Sequence, residues 1–222
     1  MPKNPIISRP PTGVDIDPEA TAFANVFDYG AKGDDKTDDT EAFRKAIDSL
    51  PEAGGVVIVP AGNYRVDTLE LRDDCTLRGT STWSYRRLGG CVLKPIRDDQ
   101  PTIVDARKVT GFRIERLTFD GEERGDDMHG LVSTRDKDEQ DLVIEDCCFV
   151  RFSGSGARLH HCWAWHVRHS FFHYNGLDGL DISESCDGFV TDSIFAGNGR
   201  YGVGGRVVAA ATFTGCRVEW NV

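Results

Sequence analysis

Three consecutive segments superpose without gaps: GARLHHCWAWHVRHSFFHYNGLD from Gly156, GLDISESCDGFVTDSIFAGNGRY from Gly179 and GVGGRVVAAATFTGCRVEWN from Gly202, a period of 23 residues. This places Gly156, Gly179 and Gly202 in one column, Val167, Val190 and Phe213 in a second, Phe172, Phe195 and Val218 in a third, and Asn175, Asn198 and Asn221 in a fourth. Ile144 and Phe149 extend the second and third columns one period upstream. A repeat of this length marks a stacked architecture, in which each unit buries its apolar side chains only against its neighbours.

Within a unit the apolar residues alternate with polar ones, as in Leu180, Asp181, Ile182 or Trp165, His166, Val167. Alternation of that kind fits short strands and not helices. Three short strands per unit make one turn of a coil, and stacked turns make an all-β, parallel β-helix, with equivalent residues roughly 4.8 Å apart on successive coils. Asn175 and Asn198 each precede a glycine and are expected at tight corners, where Asn and Gly tolerate the left-handed backbone best. A leucine-rich repeat has a similar period, but its leucine-dense frame and helical or coiled back half are absent from this sequence.

A chain of 222 residues, 39% hydrophobic, can bury one good core, and the 24 glycines suit a protein that turns a corner every few residues. The net charge of −10 argues against nucleic acid as a partner, because neutralising phosphates needs a basic surface. It argues more mildly against an anionic polysaccharide unless basic groups are concentrated locally. Seven cysteines cannot all pair with one another; Cys147 and Cys216 share a repeat column with Ser170 and Ser193, which reads as a small buried corner residue. No stretch is long enough to span a bilayer, so no membrane partner is expected. The opening MPKNPIISRPPTGVD lacks the apolar core of a secretion signal, leaving a chain not exported by that route or one whose signal has been removed.

In chain order, residues 1–24 hold five prolines and read as an extended arm, with the β-helix domain occupying 25–222. From Phe27 the composition changes to a turn-rich opening with a cap at Thr37 to Asp39. A helix follows with Phe43, Ala46, Ile47 and Leu50 on one face. Pro51 stops it, and Val56 to Val59 and Tyr64 to Val66 read as strands. A short amphipathic helix ahead of the first strands would cover the end of a stack whose first coil otherwise exposes unpaired backbone. Further rungs are expected at Leu69, Leu71, Cys75, Leu77, Val92, Leu93, Ile103, Val104, Phe112, Ile114 and Phe119, and the charged stretch from 120 to 141 reads as a pair of solvated loops.

The segment Phe27 to Val66 resembles the N-terminal signature of the pectate-lyase-like right-handed parallel β-helix superfamily. Its matching residues are Asp28, Tyr29, Gly30, Ala31, Gly33, Asp34, Asp38, Asp39, Thr40, Ala42, Gly54, Gly55, Val57, Pro60, Gly62 and Tyr64, with Asp35 standing where a glycine is commoner. The resemblance implies a right-handed parallel β-helix with an N-terminal capping helix and a polysaccharide partner. It also implies a setting outside the cell or on a virion. Function is left wider, since the superfamily holds hydrolases, polysaccharide lyases, uronate epimerases and phage tailspikes.

If Leu180 and Ile182 point inward, Asp181 and Ser183 point outward, with Arg158 and His160 beside them one coil earlier and Gly204 and Arg206 one coil later. His129, Asp127 and Asp126, in the preceding loop, are placed to lean over the same face. A histidine beside an arginine and a carboxylate can transfer protons at neutral pH while the arginine holds a substrate carboxylate. His160, Asp181 and Arg158 are therefore the expected catalytic residues, and Arg206, Ser183, His129 and Asp127 the expected binding residues. A plain Arg158–Asp181 salt bridge between rungs is the structural alternative. The loop TSTWSYRRL between Gly79 and Gly89 stands where that superfamily turns tightly. It offers Trp83, Tyr85, Arg86 and Arg87 to sugar rings and carboxylates, or packs on the side of the helix.

Alginate epimerases of that superfamily resemble the chain around Asn175 to Gly179, and where they read Asp-Pro-His one coil earlier this chain has Arg158, Leu159 and His160. The histidine matches and the aspartate does not. Their second catalytic aspartate falls at Ser183, with Asp181 two positions before it. Comparison with polygalacturonases puts an acid at Asp178, but the paired aspartate of the next coil falls at Gly199 and Arg200, which disfavours a paired-carboxylate hydrolase on this strand. Five of the six histidines lie between His160 and His173, yet their repeat phase separates them, so no transition metal is expected; calcium at an acidic loop, as the resemblance to pectate lyases implies, is left open, with Asp126 and Asp127 alone too few ligands to hold it. The readings that stand are a lyase or epimerase acting on a uronate-containing polysaccharide, a non-catalytic carbohydrate-binding or tailspike module, and a glycoside hydrolase with its acids elsewhere. The final coil, ending at Val222, shows no cap, which is expected of a chain that continues or of one covered by another subunit, as in a homotrimer.

Overall fold

The computed structural model describes residues 22–80, 83–85, 87–134 and 140–222. The arm expected over residues 1–24 thus lies almost wholly outside the described residues. Phe23–Asn25 forms a strand paired in parallel with Gly55–Val59.

Three parallel sheets run along the stack, two of eight strands and one of six, and six coils contribute a strand to each in turn, while the first and last contribute only to the two larger sheets. The first sheet includes Leu142–Glu145, Trp163–Arg168, Cys186–Thr191 and Ala209–Thr214; the second includes Cys148–Val150, Phe171–His173, Ile194–Ala196 and Arg217–Glu219. The third includes His129–Thr134, Ala157–His160, Leu180–Asp181 and Val203–Gly204. Coils one period apart pair in register: Val167 with Val190 and then Phe213, Phe172 with Phe195 and then Val218, Ala157 with Leu180 and then Val203. This is a right-handed parallel β-helix: the repeat predicts the stacked parallel coils, and the family resemblance implies their hand.

Inward residues stack like on like. The rings of Phe119, Phe149, Phe172 and Phe195 form a file with centroids 4.8, 4.9 and 5.1 Å apart. Each buries its apolar area against the ring above and below, so the column contributes to stability only as a stack. Trp165 fills the first sheet's side of the core, and its indole lies where Gly188 of the next coil has no side chain: a Cβ there would sit 2.0 Å from the ring.

At the N-terminal end the helix Thr40–Asp48 buries Phe43, Ala46 and Ile47, and Leu50 just beyond it is buried as well. Phe43 meets Tyr64 edge-on at 5.3 Å, and the Tyr64 hydroxyl donates to the Pro60 carbonyl at 2.7 Å. Asp39 precedes the helix, but its carboxylate accepts the N–H groups of Lys32 and Gly33, so it ties the signature loop to the helix instead of capping the helix. The opening read as turns contains a strand, Asp34–Asp38, which extends the second sheet by pairing with Gly62–Val66.

The asparagine corners differ from expectation. The left-handed residues are those just before each asparagine, Tyr174, Gly197 and Trp220, with φ of 53°, 66° and 54°; Arg151, one period earlier and ahead of Phe152, has φ of 56°. The asparagines themselves are a buried ladder: Asn175 Nδ2 donates to Asn198 Oδ1 at 2.9 Å, and Asn198 Nδ2 to Asn221 Oδ1 at 2.8 Å. Side-chain amides satisfy corner backbone groups that no strand can reach, which is why asparagine recurs there. Gly176 and Gly199 serve close approach, since a Cβ on either would lie 2.3 Å from a carbonyl oxygen of the preceding coil.

The stretch from 120 to 141 is not loop throughout, and its residues 135–139 lie outside the described residues. Thr118–Asp120 and His129–Thr134 are strands, and Asp120, buried, receives two N–H bonds from Arg151. All seven cysteines are free thiols.

Candidate functional site

The third sheet turns its outward residues toward a cleft of about 720 Å³. Strict alternation sets the faces: Ala157, Leu159, Leu180 and Ile182 are buried inward, so Arg158, His160, Asp181 and Ser183 face out. Parallel register then brings Arg158 beside Asp181 and Asp181 beside Gly204. The cleft is lined by seven residues singled out in the sequence, His160, Asp181, Arg158, Arg206, Ser183, His129 and Asp127.

Asp181 is the hub. Its Oδ2 lies 2.7 Å from His160 Nε2 and 3.8 Å from Arg158 Nε, while Oδ1 accepts the backbone N–H of Ser183 at 3.1 Å and its hydroxyl at 2.8 Å. Burial alone would raise the Asp181 carboxyl. The bonds from His160 and Ser183 outweigh it and hold the group down at about 2. An ionised Asp181 accepts a proton-bearing Nε2, which leaves the His160 lone pair on Nδ1. The backbone N–H of Arg206 donates to Ser183 Oγ at 3.2 Å, tying the next rung to the same cluster.

One coil upstream, His129 is buried with its Nδ1 accepting the Ser155 N–H at 2.8 Å. Its Nε2 stands 3.1 Å from Arg158 Nη1 and 3.4 Å from Asp127 Oδ1. Burial, reinforced by the Arg158 charge, pushes this imidazole down to about 4, so it is neutral at physiological pH.

Three lining residues escaped the sequence reading as functional groups, Ser155, Arg200 and Tyr201, and a fourth, Asp178, entered it only as a hydrolase acid lacking its pair. Asp178 is buried and receives a two-pronged pair from Arg200, with Nε to Oδ1 at 2.7 Å and Nη2 to Oδ2 at 2.5 Å, and also the Tyr201 N–H at 3.1 Å. Its carboxylate lies against Gly204, where an added Cβ would fall 2.3 Å from Oδ2. A signal existed in the repeat: Ser155, Asp178 and Tyr201 are one column, each directly ahead of the glycines 156, 179 and 202.

The aromatic loop is not part of this cleft. Trp83 packs against the second sheet, 5.1 Å from the Phe171 ring and 5.3 Å from His169, and its indole N–H donates to the His169 carbonyl at 2.9 Å. Tyr85 lies 5.5 Å from Phe171 with 60% of its surface exposed, and Arg87 is exposed. Arg86 lies outside the described residues. The outward column Cys148, Phe171 and Ile194 is apolar and makes a second small core under Trp83 and Leu88, which explains why the loop docks there. His160 lies on the third sheet, His166 on the first and His173 in a strand of the second. Among the described residues no three His, Cys, Asp or Glu groups are placed to hold a metal ion, and no helix is long and apolar enough to cross a membrane.

A family profile described as rhamnogalacturonase A/epimerase, pectate lyase-like, matches residues 23–87. Mannuronan C5-epimerase AlgE5 of Azotobacter vinelandii is 31% identical over 194 residues, covering 80% of this chain and 20% of that protein. Alginate lyase 7 of the same organism is 28% identical over 194 residues, covering 80% of this chain and 23% of that protein. This chain thus spans about a fifth of the length of these curated relatives. The solved A-module of mannuronan C-5 epimerase AlgE4 from Azotobacter vinelandii superposes with a TM-score of 0.67 at 26% identity, over 82% of this chain and 59% of that one. With its three in-register sheets, its capping helix and these likenesses, the chain belongs to the pectate-lyase-like right-handed parallel β-helix superfamily.

Proposed function

We propose that this protein modifies a uronate-containing polysaccharide by proton transfer at C5, the carbon that bears the sugar's carboxylate, as a lyase or an epimerase does. The observation that carries the reading is the His160–Asp181–Arg158 cluster inside one open cleft. Similarity to epimerases and to an alginate lyase supports a polysaccharide-modifying role.

In this reading His160 Nδ1, lacking a partner among the described residues, takes the proton as the C5–H bond breaks. The electron pair passes toward the adjacent carboxylate, where Arg158 and Arg206 offset the developing charge. Asp181 fixes the imidazole's tautomer and stabilises the imidazolium that forms. Breaking the C4–O bond next gives a C4=C5 double bond, the leaving oxygen taking the proton from the His160 imidazolium; delivery of a solvent proton to the opposite face of C5 instead gives the epimer, and the imidazolium then returns its own proton to solvent. Hydrolysis by a carboxylate pair is the weaker reading, because it needs one protonated carboxyl. Asp181 stays ionised, and Asp178 is committed to Arg200.

The test is incubation with polymannuronate and polygalacturonate in deuterated water. Proton magnetic resonance reports exchange at C5, and ultraviolet absorbance reports an unsaturated product. His160→Ala should lower either signal by roughly 10²-fold or more. Activity that survives this substitution removes the site assignment, and polymers left untouched by the unaltered protein leave a carbohydrate-binding module instead.

A further inference from the structure

His129 presents a hydrogen-bonding conflict that the protein alone does not resolve. A neutral imidazole has one N–H and one lone pair. Its Nδ1 faces the Ser155 backbone N–H at 2.8 Å and its Nε2 faces the Arg158 guanidinium at 3.1 Å, and both of these neighbours are donors. The backbone N–H cannot turn away, so Nδ1 keeps the lone pair and Nε2 carries the proton. Two N–H donors, one of them cationic, therefore stand 3.1 Å apart with their hydrogens toward the same space. The nearest acceptor is Asp127 Oδ1, 3.4 Å from Nε2, on a side chain that is 67% exposed and free to swing outward.

A third donor has no partner among the described residues. Ser155 is 1% exposed and lines the cleft, yet its hydroxyl makes no hydrogen bond. A buried hydroxyl without a partner is costly, and such groups in native proteins point to something that completes them. Adding a methyl-sized group nearby is also barred: a Cβ at Gly154 would sit 2.5 Å from the His129 ring. The imidazole is thus held in place from behind while its Nε2 edge faces the cleft.

The geometry points to an anion subsite in which His129 Nε2–H, Arg158 and the Ser155 hydroxyl together hold the carboxylate of a hexuronate residue, with Asp127 displaced on binding. This rests on the proton-transfer reading only for the choice of a uronate as the anion. Two carboxylate oxygens supply the acceptors that the three donors lack, and a neutral sugar in the same place cannot. The subsite would make the cleft selective for acidic chains despite the protein's overall negative charge, because the attraction is local.

Calorimetric titration of the full chain with trimers of mannuronate and galacturonate, each beside its carboxyl-reduced neutral counterpart, tests this without requiring turnover. An acidic trimer should bind more tightly than its reduced form, and inorganic sulfate should compete with it. Ser155→Ala should weaken the acidic trimer roughly tenfold while leaving the reduced trimer unchanged, the loss expected for one hydrogen bond to a charged group. The same variant should melt at the same temperature or higher, since it removes an unpaired buried hydroxyl. His129→Phe should weaken the acidic trimer further, and His129→Gln, which keeps an N–H, should weaken it less. Unchanged acidic-trimer affinity in Ser155→Ala, equal weakening of both trimers, a melting temperature lowered by several degrees, or no trimer bound by the unaltered protein would each overturn the inference. Binding with this dependence but without C5 exchange keeps the subsite and removes the proton-transfer reading; exchange with no Ser155 dependence does the reverse.

Discussion

Replacing Asn198 by alanine tests whether the amide ladder holds successive coils in register. The side chain is fully buried and makes four hydrogen bonds. Its Oδ1 accepts the Asn175 backbone N–H at 3.2 Å and Asn175 Nδ2 at 2.9 Å; its Nδ2 donates to the Phe172 carbonyl at 3.1 Å and to Asn221 Oδ1 at 2.8 Å. Two of the partners keep a second bond: Asn175 Nδ2 to the Phe149 carbonyl, and Asn221 Oδ1 from the Asn198 N–H. The Asn175 N–H has no other acceptor among the described residues and is orphaned. At about 1 kcal/mol for each of the other three lost bonds and about 1–3 kcal/mol for the orphan, the expected loss is about 4–6 kcal/mol. That is a large fraction of the stability of a domain this size.

Urea unfolding followed by tryptophan fluorescence reads the loss, since Trp165 is wholly inside the core. Asn198→Asp is the sharper variant. It keeps the shape and both acceptor roles but sets a carboxylate oxygen against the Phe172 carbonyl and Asn221 Oδ1. At neutral pH it should be at least as damaging as alanine, and it should recover as acid protonates the carboxyl and restores one donor. A loss below about 1 kcal/mol for alanine, or an aspartate variant indifferent to pH, would refute the view that these amides bind the coils together.

Gly188→Ala places a Cβ 2.0 Å from the buried Trp165 ring and should cost about 3 kcal/mol, seen as a melting temperature about 6–12 °C lower by circular dichroism. Asp181 titrates at about 2 in the folded protein against an ordinary 3.8, so its ionisation contributes about 2 kcal/mol that is fully present above 3.8 and lost as pH falls to about 2. The stability gap between the unaltered protein and Asp181→Asn should accordingly be flat near neutrality and close within that acid window in urea titrations.

What could be read from the sequence divides along a physical line. Inward residues such as Val167, Phe172 and Leu180 obey strand alternation and the 23-residue period, so their positions and those of their outward neighbours Arg158, His160 and Asp181 followed directly. Asp178, Arg200 and Tyr201 lie between strands, at the corner that joins the second sheet to the third, where no alternation fixes a direction. Their role emerged only when the corner's path was known. The Trp83 loop was ambiguous for another reason: its resting place depends on an apolar outward column, Cys148, Phe171 and Ile194, in a different part of the chain. The left-handed corner residues were misplaced by one position because asparagine suits both that backbone and a buried ladder, and here the ladder took precedence.

The register also explains how such a scaffold can carry a particular cleft. Leu131 pairs with Ala157, 26 residues on, whereas Ala157 pairs with Leu180, 23 residues on. On the first sheet Ile144 already pairs with Val167 at the 23-residue offset, so the extra residues of the earlier coil fall between Thr134 and Leu142, after its third-sheet strand. An insertion at that corner lengthens the chain without shifting any inward side chain, because both flanking strands keep their partners. The outward column is equally free, since its side chains meet solvent or ligand and not the core. Val132, Arg158 and Asp181 can therefore differ from coil to coil while Leu131, Ala157 and Leu180 hold the same stack. The core requires only like residues in file, and this leaves the cleft's chemistry to be set by neighbours that the period makes adjacent but does not make alike.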